Sequence, residues 1–246
     1  MNNIQDTLLF PFRDRNAWTQ FLIACAIMLA AFIIPLLPGI LLMGYTVKIM
    51  RDVILEKKSP SMPQWQGSDW GEMFMDGLRL YGAQFVLMLP LFLLLGCGMI
   101  SLVGGSVGLS ALASDDTQFL APLGGLLLFI GIGSTLGFSL LSLPYSIVIS
   151  AASGHVAARN SFNAAFEFRE WWQIFRTAIA QFVLAYAIIM VASFVFAMIM
   201  QIAIVTIILM CIVPFLMIPY SVYLMLITNT LYAQAYAKGQ ETLQTA

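Results

Sequence analysis

Residues 177–194 read TAIAQFVLAYAIIMVASF, and the run that they begin continues to Ala237, 61 residues in all, without Asp, Glu, Lys, Arg or His. One bilayer crossing takes about 20 apolar residues, because a helix rises about 1.5 Å per residue and the hydrocarbon core is roughly 30 Å thick. A second stretch, Leu80–Gly154, carries only the acidic pair Asp115 and Asp116, near its middle. Each stretch therefore predicts two membrane crossings joined on one side.

The composition of the whole chain agrees with a membrane environment. Of its 246 residues, 61% are hydrophobic and only 9% are charged, whereas about a quarter of the residues in soluble domains are charged. A water-soluble domain this apolar would expose large adhesive patches. The formal net charge of −1 excludes the basic surface that nucleic-acid binding requires. We therefore predict one all-α integral membrane domain over residues 1–246, without a nucleic-acid partner.

Basic residues determine the predicted orientation. All eleven Lys and Arg residues lie in the segments 13–15, 48–79 and 159–176 or at Lys238 near the C-terminus. Cytoplasmic segments of membrane proteins are enriched in Lys and Arg, so we place these segments and both termini inside and the acidic pair outside. An even number of crossings must then separate successive basic segments. The predicted location is the cytoplasmic (inner) membrane of the cell.

Tryptophan indicates the same side of the membrane. Trp18, Trp65, Trp70, Trp171 and Trp172 all lie beside the basic segments. An indole ring prefers the headgroup level, where its apolar body and its N–H group both find suitable surroundings. The tryptophans therefore predict an aromatic belt on the cytoplasmic face, with ordinary core packing as the alternative.

The two long apolar stretches share features at both ends. An acidic residue followed by Trp opens each of them, at 69–70 and at 170–171, and Pro-Tyr-Ser recurs in the returning helix of each, at 144–146 and at 219–221. Two matches in the same order favour an internal repeat. We predict pseudo-repeats over residues 10–58, 68–163 and 164–240, of which the first is a shortened copy.

The first repeat is short for two crossings. Only 20 residues separate Trp18 from Pro38. We predict a short or re-entrant hairpin that turns at residues 35–39, with Lys48 and Arg51 extending along their apolar stems to the interface. One long kinked helix with an outside N-terminus is the alternative, and it would move the basic residues 13 and 15 to the outer side. The predicted total is about six transmembrane helices in three hairpins.

Two polar segments between the hairpins predict cytoplasmic interfacial helices. From Asp69 to Tyr81 the charged residues alternate with Met, Phe and Leu, so that most charges fall on one helical face. An amphipathic helix of this kind lies along the membrane surface. The segment from His155 to Arg176 has the same character and occupies the next gap.

Residue types that carry chemistry are sparse. His155 is the only histidine, and Cys25, Cys97 and Cys211 lie far apart inside apolar runs. Catalysis needs a nucleophile, a base or a metal cluster held within reach, and zinc sites need suitably spaced Cys or His residues. We therefore expect no enzymatic activity, no cofactor and no metal site, and we interpret His155 as an interfacial histidine.

Polar residues inside the predicted crossings are uncharged. Ion-coupled transport usually requires ionisable residues in the membrane, and the predicted crossings contain none. An uncharged pathway lined by Gln201, Ser221 and Asn229 stays open as an alternative, although such side chains more often join one membrane helix to another.

Small residues form a stripe on the fourth predicted crossing. Its members are Gly133, Gly137, Ser142, Ser146, Ser150 and Gly154. Small residues let helix backbones approach closely in lipid, which gives no hydrophobic drive for association. We predict that this stripe is the central seam of the helix bundle. It either seals one chain or binds a partner helix, which includes a second copy of the chain.

A polar motif of defined spacing occupies residues 44–77. It consists of Gly44-Tyr45-x-x-Lys48-x-x-Arg51, then Met62-Pro63-x-Trp65, then Asp76-Gly77. This pattern resembles a prokaryotic membrane-protein family catalogued as domain of unknown function 4013. The resemblance implies a polytopic membrane protein with the motif on the cytoplasmic side, and it implies no activity.

The same motif predicts either anchoring at the interface or a docking surface for an anionic group. The candidate docking residues are Tyr45, Lys48, Arg51, Pro63, Trp65 and Asp76. Basic residues beside membrane helices attract anionic lipid. We therefore predict a non-enzymatic membrane component that binds anionic headgroups or a protein partner through its cytoplasmic face. The alternative is a facilitator or permease-like subunit for a small or lipophilic solute.

Overall fold

The computed structural model describes residues 4–110, 121–205 and 213–245, and every regular element in these ranges is helical. The α-helices are α1 (Ile4–Leu9), α2 (Arg15–Leu29), α3 (Leu37–Leu55), α4 (Trp70–Ser110), α5 (Ala121–Arg159), α6 (Phe168–Thr177), α7 (Ile179–Val205) and α8 (Val213–Thr245). The acidic pair Asp115 and Asp116 and the thiol of Cys211, which the sequence analysis interprets, lie outside the described residues.

Among the described residues, five helical segments are long and apolar enough to cross a bilayer. They are Arg15–Phe32, Trp70–Ser110, Pro122–Arg159, Ile179–Ile202 and Phe215–Thr245. The helix α3 is not among them, and its 19 residues include three charged ones, Lys48, Arg51 and Asp52. The uncharged part of α3, residues 37–47, is about 16 Å long, roughly half the thickness of the hydrocarbon core. The structure confirms an all-helical protein with helices typical of membrane proteins.

Contacts divide the chain into two units, which are described separately. The first unit comprises Met1–Gln84 and Ser150–Ala246, and the second comprises Phe85–Ile149. In the first unit, α3 and α8 pack against each other along their lengths. The side chains of Tyr45 on α3 and Tyr236 on α8 are fully buried. Close packing of this kind must hold the helices together wherever lipid surrounds them, since lipid gives no hydrophobic drive.

The first predicted hairpin is formed by α2 and α3. The chain reverses at Leu36, whose φ of 74° lies in the left-handed region that Leu rarely adopts. The helix α3 then begins with Pro38 in its first turn, where the missing N–H group costs no hydrogen bond. Because α2 and α3 are separate helices that contact each other, the described residues do not form one continuous helix here, and the number of crossings over residues 17–56 stays a prediction.

The second unit is a helical hairpin made by the second part of α4 and the first part of α5. Glycines bring the two backbones into contact. A Cβ atom at Gly105 would lie 2.6 Å from the backbone nitrogen of Leu128, and one at Gly124 would lie 2.6 Å from the carbonyl carbon of Gly108. Any side chain at these positions would collide with backbone, so glycine is required for this approach.

Prolines lie inside three of the long helices. Pro90 in α4 removes one N–H group from its turn, and on the same turn the carbonyl of Leu87 accepts a hydrogen bond of 2.6 Å from the Tyr145 hydroxyl. The carbonyl that Pro90 leaves without a backbone donor lies four residues earlier, so the Tyr145 hydrogen bond joins α5 to α4 and does not replace the lost one. Pro144 and Pro219 occupy α5 and α8.

The predicted interfacial helix over Asp69–Tyr81 is not a separate element. It is continuous with the first long crossing, because α4 runs unbroken from Trp70 to Ser110. The reason is local. No proline interrupts the sequence between Trp70 and Leu89, so the charged segment and the apolar segment form one continuous helix. In the next gap the chain does break, at Ala178, and α6 is a separate amphipathic helix.

Candidate functional site

The residues of the predicted motif meet where α3 crosses the first turns of α4. Gly44 and Gly77 lie at the crossing point. A Cβ atom at Gly77 would lie 2.7 Å from the backbone nitrogen of Gly44, and one at Gly44 would collide with the backbone carbonyl of Met73. The two helices therefore touch backbone to backbone, and the glycines of the motif make this contact sterically feasible.

An aromatic stack lies beside this crossing. The rings of Tyr45 and Trp65 are parallel, with centroids 4.2 Å apart and an interplanar angle of 7°. The Tyr45 hydroxyl donates to the carbonyl of Pro63 at 2.7 Å. The indole N–H of Trp65 donates to the carbonyl of Gln20 on α2 at 3.2 Å, and its backbone N–H donates to the Gln20 side chain at 3.1 Å. The linker after α3 is thus tied to both α2 and α3.

Ion pairs join α3 to the start of α4 and to the residues just before it. The Arg51 guanidinium lies 2.9 Å from the Asp76 carboxylate, whose side chain is only 5% exposed. Arg79 contacts the second oxygen of the same carboxylate at 3.0 Å. Lys48 pairs with Asp69 at 2.8 Å. A carboxylate buried to this extent needs such partners, because an unpaired charge there would be costly.

We call this assembly the motif cluster; it comprises Gly44, Tyr45, Lys48, Arg51, Pro63, Trp65, Asp76 and Gly77. The six residues predicted to dock a partner all belong to it. Each of them makes a hydrogen bond to another member or to Gln20 or Asp69 of the same chain. These contacts join α3 to α2, to the linker after α3 and to the start of α4.

One further acidic residue lies next to this cluster. Partial burial raises the pKa of Asp52, and the neighbouring Glu56 raises it further, while Lys58, Lys48 and Arg51 act in the opposite direction. Burial penalises the charged form of a carboxyl group, which is the larger effect here. The negative charge of Asp52 is thus mildly unfavourable for folding, whereas the neighbouring charges of the motif cluster are stabilised by ion pairs.

A second polar cluster surrounds His155 near the end of α5. The imidazole is 2% exposed, and its Nδ1 lies 2.6 Å from the hydroxyl of Tyr236 on α8. Its Nε2 lies 2.8 Å from the carboxylate of Glu167 and 3.6 Å from that of Glu170. Arg159 contacts the same Glu170 at 2.7 Å. We call these five residues the histidine cluster.

The histidine cluster was missed by the sequence analysis, which interprets His155 as an interfacial histidine and names none of the other four residues as its partners. The signal available was the pair Glu167 and Glu170, three residues apart and shortly after the only histidine. Nothing in the local sequence indicates that the chain turns back through Phe162–Phe166. That turn brings the carboxylates to the imidazole, and α8 supplies Tyr236 from 81 residues away.

The predicted small-residue seam lies in several different surroundings. In the second unit, a Cβ atom at Gly133 would have no neighbour within 4 Å, and one at Gly137 would make only an ordinary contact with Leu94. The hydroxyls of Ser142 and Ser146 donate to carbonyls of their own helix. In the first unit, Ser150 is buried, and Gly154 packs directly against the ring of Tyr236.

The predicted polar pathway is not assembled into one channel-like group. The side chain of Gln201 is exposed. Ser221 donates to the carbonyl of Met217 and Asn229 to that of Met225, each one turn earlier on α8. Ser221 also borders a cleft of about 280 Å³ whose other lining residues are apolar; they are Met28, Ala31, Phe32, Met217 and Ile218.

Basic side chains outside the two clusters differ from those inside them. Within the described ranges, five exposed basic residues make no ion pair: Arg13, Arg15, Lys57, Arg169 and Arg176. Two exposed tryptophans lie close to the four arginines in the sequence. Trp18 follows Arg13 and Arg15, and Trp172 lies between Arg169 and Arg176. Cations and indoles together are typical of residues at the headgroup level of a membrane.

Comparison with known proteins adds one family. A protein-family model described as "Protein of unknown function (DUF4013)" matches residues 27–205, which is more than half of the chain. The matched region contains the whole motif cluster and, in the histidine cluster, every residue except Tyr236. No curated protein and no solved structure matches the chain.

Proposed function

The chain belongs to the family of proteins of unknown function DUF4013, and from this premise we propose that it is a non-enzymatic, multi-pass membrane component that binds anionic lipid headgroups. The surface we assign to this role is the set of five unpaired basic residues, Arg13, Arg15, Lys57, Arg169 and Arg176. They replace the motif cluster as the docking face, because the charges of that cluster are satisfied within the chain.

The single observation that carries this proposal is the uneven neutralisation of the basic residues. Six of the eleven Lys and Arg side chains have a carboxylate within 4 Å, and the remaining five are exposed without one in the described residues. An exposed guanidinium beside apolar helices attracts phosphate headgroups, with about 1 kcal/mol for each basic residue near an anionic surface. Arg can bind a phosphate group through two parallel hydrogen bonds, as it can a carboxylate.

The helix α6 has the form that this role requires. Its buried residues are Trp171, Ile174 and Phe175, while Arg169 and Arg176 are exposed on the opposite side. An amphipathic helix of this kind places its apolar face toward the acyl boundary or the protein and its cations among headgroups. Trp172 is 42% exposed, as expected for an interfacial anchor.

We also propose the topology of the chain in the cytoplasmic membrane. The hairpin of α2 and α3 enters from the cytoplasmic side and returns to it, so that both termini and all basic segments stay inside. The apolar tip of this hairpin supports the proposal, since Phe32 is 73% and Ile33 83% exposed and such side chains are stable in lipid. With α4, α5, α7 and α8 as full crossings, the total is six helices in three hairpins.

The two long hairpins have a further similarity that supports an internal repeat. In α5, Tyr145 of Pro-Tyr-Ser contacts the preceding helix α4 through the carbonyl of Leu87. In α8, Tyr220 of the second Pro-Tyr-Ser stacks in parallel on Phe196 of the preceding helix α7. The tyrosine of each returning helix thus contacts the helix before it.

Lipid retention tests the proposed function. The double variant Arg169→Gln/Arg176→Gln removes two unpaired cations from the exposed side of α6. Their loss should weaken anionic-lipid binding by about 2 kcal/mol, or roughly 30-fold. The measurement is native mass spectrometry of the protein extracted from vesicles that contain equal amounts of phosphatidylglycerol and phosphatidylcholine.

A matched control is the double variant Lys58→Gln/Lys238→Gln, which removes two exposed cations that already pair with Glu56 and Glu241. It should retain nearly the lipid of the unchanged protein. Equal retention in all three proteins would contradict lipid binding. Co-purification of a stoichiometric protein that the α6 variant releases would assign the surface to a protein partner instead.

The apolar cleft favours one alternative function. Because Met28, Phe32 and Met217 line the cleft beside Ser221, a facilitator built on it would carry a lipophilic solute rather than a hydrophilic one. Reaction of Ser221→Cys with a membrane-impermeant maleimide would demonstrate the water-filled path that a hydrophilic permease needs. Protection from that reagent, with labelling by a membrane-permeant one, would leave only the lipophilic version.

A further inference from the structure

We propose that the histidine cluster is a binding site for a divalent transition-metal cation, with His155, Glu167 and Glu170 as its ligands. Each of the three residues offers one ligand atom, and these atoms all lie within 4.8 Å of one another. All three belong to the first unit. The inference is independent of lipid binding, because none of these residues belongs to the proposed lipid-binding surface.

The separations between the donor atoms suit a small cation. In a tetrahedral zinc site with metal–ligand bonds of about 2.0–2.1 Å, neighbouring ligand atoms lie roughly 3.3 Å apart. The Nε2 atom of His155 lies 2.8 Å from the Glu167 oxygen and 3.6 Å from the Glu170 oxygen, one value on each side of that figure. Small rotations of the two carboxylates would bring both to it.

The imidazole is already oriented for coordination. His155 is 2% exposed, and its Nδ1 is held by the Tyr236 hydroxyl at 2.6 Å. Tyr236 in turn accepts a hydrogen bond from the Gln240 amide at 3.3 Å. A metal-ligating histidine usually has its other ring nitrogen fixed in this way, which sets the tautomer and aims the free nitrogen at the metal. With the cation on Nε2, the ring proton is on Nδ1, and this N–H donates a hydrogen bond to the Tyr236 oxygen.

The two carboxylates give the site an entrance. The side chains of Glu167 and Glu170 are 44% and 51% exposed, so a hydrated cation can reach them without opening the helix packing. The three protein ligands leave a fourth position of a tetrahedral cation for water. Imidazole with carboxylate suits zinc and similar transition metals, whereas magnesium and calcium prefer oxygen ligands alone.

Charge and connectivity indicate what such a cation would do. Arg159 pairs with Glu170 at 2.7 Å and therefore competes with the cation for that carboxylate. Glu167 lies immediately before α6, and Glu170 lies in its first turn. A bound cation would link the end of α5 directly to the start of α6, and so would stabilise the turn between them.

The test is zinc binding by the full-length protein in detergent after treatment with a chelator. Titration against a chromophoric competitor should give one zinc ion per chain with a dissociation constant below about 10 µM. Glu167→Gln replaces an exposed carboxylate ligand with an amide that can still hydrogen-bond the imidazole, and it should weaken metal binding at least about tenfold. The control Glu241→Gln alters an exposed, paired carboxylate outside the cluster and should bind like the unchanged protein.

Two further variants make the result decisive. His155→Gln should abolish stoichiometric binding, and its folding is checked by its melting curve without metal. Arg159→Gln should tighten binding because the competing cation is removed, whereas a purely structural ion pair predicts no such gain. Absence of stoichiometric binding, equal affinity in Glu167→Gln, or unchanged or weaker affinity in Arg159→Gln would each overturn the assignment.

Discussion

Two helix crossings in this protein depend on glycine, and they differ in everything around the glycine. In the first unit, α3 and α4 touch at Gly44 and Gly77, with a Tyr–Trp stack and three ion pairs beside the contact. In the second unit, α4 and α5 touch at Gly105 and Gly124, and the atoms that a Cβ there would meet belong to Leu and Gly residues.

The difference indicates two ways of holding helices together in one chain. Ion pairs and aromatic donors are useful where water or headgroups are near, because an uncompensated charge in lipid is costly. Inside hydrocarbon, close backbone contact and dispersion must suffice. The glycine supplies the same geometry in both places, and its surroundings reflect the medium.

The largest expected effect comes from a side chain at the polar crossing. Gly77→Ala places a Cβ atom against the backbone of α3, which cannot move aside as a flexible side chain would. We expect a loss of at least about 3 kcal/mol in stability, visible as a large drop in melting temperature or as failure to purify as a single species. Gly71→Ala, on the same helix with no atom within 4 Å of its Cβ, should be neutral or slightly stabilising.

The apolar crossing is tested by a pair of neighbouring glycines. Gly124→Ala drives a methyl group into the backbone of Gly108, whereas the adjacent Gly125 has open space at its Cβ. Gly124→Ala should cost about 2 kcal/mol, a little less than Gly77→Ala, because no ion pair among the described residues of this unit depends on exact alignment. The readout is thermal melting in detergent. Similar melting of Gly124→Ala and Gly125→Ala would show that the close contact is unimportant.

The contribution of the ion pairs is measured by Asp76→Asn. The change leaves Arg51 and Arg79 without their shared carboxylate. Because both arginines are partly exposed and can be solvated, we expect a loss of about 1–2 kcal/mol rather than the larger penalty of a fully buried pair. Glu241→Gln, which breaks an exposed pair with Lys238, should change the melting temperature by less than about 2 °C. Equal shifts would mean that the polar crossing relies on glycine alone.

The smallest effect is expected at Asp52, beside the same crossing. Burial raises its pKa above the ordinary value of 3.8, so the folded state binds its proton more tightly than the unfolded state. The contribution of Asp52 to stability therefore decreases as the pH rises from about 3.8, its ordinary pKa, through the higher pKa of the folded state. Asp52→Asn should remove the decrease and raise the melting temperature at pH 7 by about 1–2 °C. A lower melting temperature would indicate that its attraction to Lys48 and Arg51 dominates instead.

The motif over residues 44–77 illustrates how much could be predicted from sequence. Its spacing placed Lys48 and Arg51 one turn apart and identified the family. It gave no indication that Asp69 and Asp76 would take up those charges, because pairing across two helices depends on how the helices cross. A basic motif was therefore interpreted as a docking surface, while the unpaired cations lie elsewhere.

His155 illustrates the reverse case. The sequence shows one histidine without nearby ligands of its own type, and the expectation of no metal site followed from that. Folding brings to it two carboxylates from the start of α6 and a tyrosine from α8. Glu167 and Glu170 follow the histidine closely in the sequence, but nothing in their spacing shows that the chain folds back on α5, and Tyr236 lies 81 residues away.

By itself, the sequence determined that this chain is helical and suited to a membrane, since a run of 61 uncharged, mostly apolar residues would be unstable when exposed to water. It also predicted an interruption at residues 35–39, and the structure has one between α2 and α3. Only the tertiary structure decided which charges are neutralised, which glycines are in backbone contact and what surrounds His155. The physical reason is the distance in sequence over which each property is set. Hydropathy is a property of each residue and its immediate neighbours, whereas ion pairs and close contacts form only when distant helices pack.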